Sequence, residues 1–188
     1  MKIGIFGGTF NPIHYGHLLL AEQVLQELGL DKVIFVPSNI PPHKEGNLLA
    51  PAKNRLHMVR IAVRSNPRFC VSNTEILRGG KSYSVETLRE FKEKYPNDRL
   101  FFITGSDLVK YLADWKDVGE IFKLADFVVA NRPGYVLTDL PEKIIKVNIK
   151  SIDISAYEIR RFIKEGKSIR YLVPSEVRKY IEKKRLYR

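Results

Sequence analysis

A chain of 188 residues with 44% apolar side chains can bury a core without staples, which excludes a disordered protein. Its single cysteine, Cys70, excludes an internal disulfide and a cysteine-built structural zinc, and fits a reducing compartment. The net charge of +11 suits attraction to anions, yet stretches such as 90–94 and 182–185 mix charge with apolar helix positions and read as solvated faces.

Periodicity gives the elements in order. Residues 2–6 read as a buried strand ended by Gly7-Gly8, with no signal-peptide pattern before it. Apolar residues at Leu18, Leu20, Ala21, Val24, Leu25 and Leu28 predict a helix over 17–28, stopped by Gly29. A strand over 32–36, a proline-rich loop over 39–51, a helix over 55–62 and a strand over 68–72 follow. Next come a helix over 85–95, a strand over 99–104, short helices over 108–112 and 118–124, and a strand over 126–130. A strand over 144–149 and helices over 156–165 and 175–183 complete the chain. No apolar run approaches a membrane span, so the expected location is the cytoplasm, without a membrane partner.

Strands that alternate with helices imply parallel pairing through crossovers. The expected fold class is therefore α/β, a doubly wound parallel sheet with C-terminal helices, in a single domain over 1–188. Ligands of such sheets lie beyond the carboxyl ends of the strands. The windows to inspect are 7–17, 37–44, 105–107 and 131–134.

The first window reads Gly7-Gly8-Thr9-Phe10-Asn11-Pro12-Ile13-His14-Tyr15-Gly16-His17. Its glycines let backbone approach a ligand closely. His14 and His17 are three apart at the mouth of a helix, so both imidazoles share one side of the first turn. The helix start adds free N–H groups and the positive end of the dipole. Together they form an anion site with two adjustable donors. Neither the dinucleotide fingerprint G-x-G-x-x-G nor the P-loop pattern is present. His43 and His57 show no ligand spacing, so no metal site is expected.

This string resembles the opening signature of the HxGH nucleotidyltransferase superfamily, and within it is most similar to the bacterial nicotinate mononucleotide adenylyltransferases. Asn11 stands where that pattern usually has Asp. Ile154-Ser155-Ala156-Tyr157-Glu158-Ile159-Arg160 resembles the superfamily's second motif, I-S-S-T-x-[IV]-R, and departs from it at Ala156 and Tyr157. The resemblance implies a Rossmann-like nucleotidyltransferase fold. It also implies that His14, His17 and Arg160 act on the reacting phosphates, as part of an ATP site with Gly7, Gly8, Thr9, Phe10, Gly105, Asp107, Ser155 and Tyr157. The residues agree: Ser155 is a good N-cap, and Arg160 follows within reach of a triphosphate. An acceptor site is implied by three further likenesses. The loop with Asn39, His43 and Lys44 resembles the family's acceptor loop, Ser82-Tyr83-Ser84 its S-Y-T, and Arg132-Pro133-Gly134 its R-P-G. Trp115, the only tryptophan, would stack on a pyridine ring.

The implied reaction is adenylyl transfer from ATP to nicotinate mononucleotide in NAD biosynthesis, with Mg2+ arriving on the nucleotide. Nicotinamide mononucleotide, phosphopantetheine or another phosphate is the alternative acceptor. A basic nucleic-acid-binding module rests only on the charge and the tail over 178–188. Val177, Tyr180 and Ile181 instead mark that tail as a helix packing on its own domain, so no nucleic-acid partner is expected. A non-catalytic ATP sensor is hinted at only by Ala156 and Tyr157. Self-association into a homo-oligomer stays open.

Overall fold

The computed structural model describes residues 1–42, 49–131, 143–150 and 152–188. Its strands are β1 (Lys2–Gly8), β2 (Lys32–Pro37), β3 (Phe69–Val71), β4 (Arg99–Gly105), β5 (Asp126–Asn131) and β6 (Ile144–Asn148). They form one sheet in the order β3-β2-β1-β4-β5-β6, and every neighbouring pair is parallel. The order reverses between β1 and β4, and a crevice opens there at the carboxyl ends of the strands.

The strand sequences are nearly all apolar because both faces of the sheet are covered. Val33 and Phe35 of β2, with Phe101 and Ile103 of β4, join one core. That core receives α1 (Tyr15–Glu27), α2 (Ala52–Val63), α6 (Ala156–Lys164) and α7 (Ser175–Lys184). Ile34 and Val36, with Leu100 and Phe102, join the other. It is closed by α4 (Ser84–Lys94), α5 (Val118–Leu124) and a 3-10 helix over Ser106–Asp114. Gly4 permits this closeness, since a Cβ there would sit 2.8 Å from Ile103 Cδ1 and 2.9 Å from Leu30 Cδ1.

Four departures from the sequence reading have local causes. The helix after β1 starts two residues early, at Tyr15, so His14 becomes its N-cap and His17 sits inside its first turn. The helix expected over 55–62 begins at Ala52, directly after Pro51. Thr74–Arg78 forms a short helix, α3, too brief to show periodicity, and Gly79 ends it at φ 75°. The segment after β4 is a nine-residue 3-10 helix rather than a short α-helix over 108–112.

The basic tail packs inward. Val177 and Ile181 of α7 are buried, and Tyr180 lies with its ring 4.4 Å from that of His57 on α2. Its charges pair along its outer face, Lys179 with Glu176 and Arg178 with Glu182. No helix among the described residues is long and apolar enough to cross a membrane.

Candidate active site

The cleft at the switch point is built from the ends of β1, β2 and β4. Gly7, Gly8, Thr9, Phe10 and His17 line it, together with Thr104 and Gly105 at the end of β4. Ser38, Pro41, Glu75, Ser82, Ser84 and Trp115 complete the lining. Tyr83 lines an adjoining recess that shares Ser82, Ser84 and Trp115.

One end of the cleft is set by the start of α1. His14 caps it in extended conformation, φ −146° and ψ 171°, and no acidic side chain occupies its first turn. The dipole end therefore keeps its positive character for a bound anion. The rings of His14 and His17 lie 3.7 Å apart, and Phe10 meets His17 edge-on at 5.1 Å. The backbone N–H of His14 donates to His17 Nδ1 at 3.3 Å. A backbone N–H can only donate, so Nδ1 is the bare nitrogen and the proton of the neutral ring sits on Nε2. His17 is thus fixed as an Nε2 donor on the cleft wall, while His14 is buried behind it. Gly16 keeps the pair in place: a Cβ there would come within 3.0 Å of His14 Nδ1.

The second motif meets the first. Ser155 caps α6 by accepting the N–H of Glu158 at 3.1 Å. Arg160 Nη1 donates to the carbonyl of Asn11 at 2.7 Å, and its Nε is buried without a hydrogen-bond partner among the described residues. Burial lowers the pKa of the guanidinium from its ordinary value. Tyr157 is exposed, with Arg160 5.9 Å from its ring centre. Asn11 accepts from the backbone N–H of Ala50 at 3.0 Å and from the Tyr187 hydroxyl at 2.8 Å. Burial raises the Tyr187 phenol far above its usual range, which keeps it a neutral donor.

Among the residues expected to meet the acceptor, Trp115 packs edge-on against Phe102 and Phe127 and lines both the cleft and the recess. Ser84 is the first residue of α4, where backbone N–H groups are free to meet an anion. Asn39 turns its amide to the carbonyl of Gly80 at 3.0 Å, so its side chain ties two loops together. Of Asp107 the structure describes the backbone, within the 3-10 helix. His43, Lys44 and Arg132 lie outside the described residues. Among the described residues no group of three or more His, Cys, Asp or Glu is placed to hold a metal ion.

Three groups at the site escaped the sequence reading. Thr104 is a buried β4 residue whose hydroxyl has no partner among the described residues. Arg55 had a visible signal, since it shares a helical face with Val59 and Ala62, both buried. Glu75 lies on the unforeseen α3, accepting from the Thr87 hydroxyl at 2.6 Å. Its burial raises the carboxyl pKa above the ordinary glutamate value, against the lowering effect of Thr87, Ser82 and Arg78. The folded state therefore holds this proton more tightly than the unfolded chain. Its stabilising effect is present below the unfolded pKa and lost as pH rises through the folded one. Glu75→Gln should accordingly gain in Tm relative to the parent between pH 5 and pH 8, in paired thermal melts. A constant difference across that range would refute the raised carboxyl.

A parallel sheet in this order, with paired histidines at the start of α1 on its switch point and Arg160 meeting the preceding loop, defines an α/β protein whose cleft suits an anionic ligand. A cytidylyltransferase-like family model matches residues 5–162. A Thermus thermophilus protein named a probable nicotinate-nucleotide adenylyltransferase is 47% identical, with both chains covered in full. The nicotinate-nucleotide adenylyltransferase of Bacillus subtilis is 41% identical over 99% of this chain and 98% of its own. A solved Plasmodium falciparum nicotinic acid mononucleotide adenylyltransferase, complexed with NaAD, shares the fold. Its TM-score is 0.82 at 21% identity, covering 99% of this chain and 97% of that one. The chain belongs to the nicotinate-nucleotide adenylyltransferases, nucleotidyltransferases of the cytidylyltransferase-like family.

Proposed function

We infer that the chain transfers the adenylyl group of ATP to nicotinate mononucleotide, giving nicotinate adenine dinucleotide and pyrophosphate in NAD biosynthesis. The full-length 47% identity to a relative of that name carries the reading. The setting of the histidine motif on the cleft supports it.

In this reaction a phosphate oxygen of nicotinate mononucleotide attacks the α-phosphorus of ATP as the bond to pyrophosphate breaks. The attacking oxygen is already anionic and needs no general base. The protein's work is to hold both substrates in line and to neutralise growing negative charge. The Nε2–H of His17 and the start of α1 serve the phosphates around the reacting phosphorus, His14 braces His17, and Arg160 holds the triphosphate. ATP enters as its Mg2+ complex, in which the ion is held by phosphate oxygens and shields their charge. Trp115 stacks on the pyridine ring, and Ser84 with the start of α4 receives the nicotinate carboxylate. Lys44 and Arg132 serve acceptor and triphosphate oxygens on the same reading. A cytoplasmic location goes with it, supported by the lone cysteine.

The test is pyrophosphate release from ATP and Mg2+ with nicotinate mononucleotide, nicotinamide mononucleotide and phosphopantetheine in parallel. At least tenfold higher kcat/KM for the nicotinate form is expected. Equal rates with the amide would remove the carboxylate from the recognition scheme. Release with phosphopantetheine alone would move the acceptor assignment altogether.

A further inference from the structure

Arg55 is the largest fully buried side chain in the protein among the described residues, and it sits in the first turn of α2. Its guanidinium reaches three separate segments. Nη1 donates to the carbonyl of Thr9 at 2.8 Å, after β1, and lies 3.5 Å from the hydroxyl of Ser38. Nη2 donates to the carbonyl of Asn39 at 2.7 Å, after β2, and Nε to that of Ala50 at 2.9 Å, at the entry to α2. Thr9 and Ser38 both line the cleft, side by side at the ends of β1 and β2, where the Ser38 N–H donates to the Gly8 carbonyl at 2.9 Å. No carboxylate hydrogen-bonds Arg55 among the described residues, and burial lowers its pKa from the ordinary value against the raising effect of Tyr187 and Glu75.

A buried cation held only by neutral oxygens is costly, and an apolar side chain would fill the same space with less desolvation. What the guanidinium alone supplies is a planar fork of five donors, able to hold several carbonyls in fixed directions. Those carbonyls belong to the loop that carries the histidine motif and to both ends of the segment facing it. The relative placement of these two loops bears on how the two substrates meet in the cleft.

We propose that Arg55 is a positioning residue that fixes the loop after β1, which carries the histidine motif, relative to the loop after β2, and so the alignment of the attacking oxygen with the α-phosphorus. The proposal rests on the adenylyl transfer argued above. Reacting atoms must approach within about 3–3.5 Å, and a misplacement of about 1 Å costs roughly 10²-fold in rate. Arg55 touches neither substrate, so its effect is on turnover and acceptor KM, not on ATP binding by itself.

The experiment compares the parent chain with Arg55→Lys, which keeps the charge but radiates its donors from one nitrogen. Read-outs are kcat and acceptor KM per folded molecule, well below Tm, and calorimetric ATP affinity without acceptor. Arg55→Lys is expected to lower kcat by about 10- to 100-fold and to raise acceptor KM, with ATP affinity within about twofold of the parent. Arg55→Gln, read in the same way, serves if the lysine variant does not fold. Parent-like kcat and acceptor KM in the folded variant would overturn the proposal. So would losses of ATP affinity and turnover in step with lost folded protein, or a failure of both variants to fold, since Arg55 would then serve stability alone. If the parent itself releases no pyrophosphate with nicotinate mononucleotide, the assigned reaction fails, and the comparison is made with the acceptor that does support release.

Discussion

His17→Ala is expected to fold like the parent and to lose about 10²–10³-fold in kcat, the effect of removing one preorganised donor to a developing negative charge. His17 lines the cleft, with its Nδ1 committed to the backbone N–H of His14, which leaves the proton on Nε2. That hydrogen bond means the donor is aimed before substrate arrives, so no reorganisation is needed at the moment of reaction. Alanine also removes the ring that stacks on His14 and meets Phe10, a modest packing loss on a partly exposed wall. Helix α1 stays anchored through Leu20, Ala21, Val24 and Leu25, all buried. Steady-state kinetics with calorimetric ATP affinity test this. A variant with parent-like kcat and intact ATP binding would remove His17 from the transition state.

Arg160→Ala is expected to lower kcat/KM for ATP by roughly 10²-fold, in the range of a lost charge-assisted hydrogen bond plus an acceptor left unpaired. The guanidinium gives Nη1 to Asn11 and holds a buried Nε without a partner among the described residues. Stability should fall by about 1–2 kcal/mol, because the Asn11 carbonyl loses its donor. Arg160→Lys should fall between the two, keeping charge but losing the fork. Kinetics at saturating acceptor, with thermal melts on the same samples, separate the effects. A kcat/KM within about threefold of the parent in Arg160→Ala would show that the triphosphate is held elsewhere.

The apolar runs at Ile3, Ile5 and Phe6, at 33–36 and at 100–103 determined a two-sided parallel sheet, because only strands buried on both faces are apolar at successive positions. The histidine motif was equally legible, since short spacings at one helix start are local geometry. Gly105 was expected directly after the fourth strand, the family resemblance pointed to Ser84 and Trp115, and the structure brings all three to one cleft.

Tertiary structure decided everything that joins distant segments. Arg160 meets Asn11 across 149 residues, and Tyr187 meets it across 176, distances over which periodicity carries no information. Glu75 was hidden because a five-residue helix has no measurable period. Arg55 looked like one more cation in a chain of net charge +11. Its meaning lies in the three carbonyls converging on it, which no segment contains by itself. The sequence by itself thus determined the class of fold and the histidine motif at its first helix, through local spacing and alternation. The packing of helices against the sheet decided which charges are buried and which loops they bind, because burial is a property of the assembled layers.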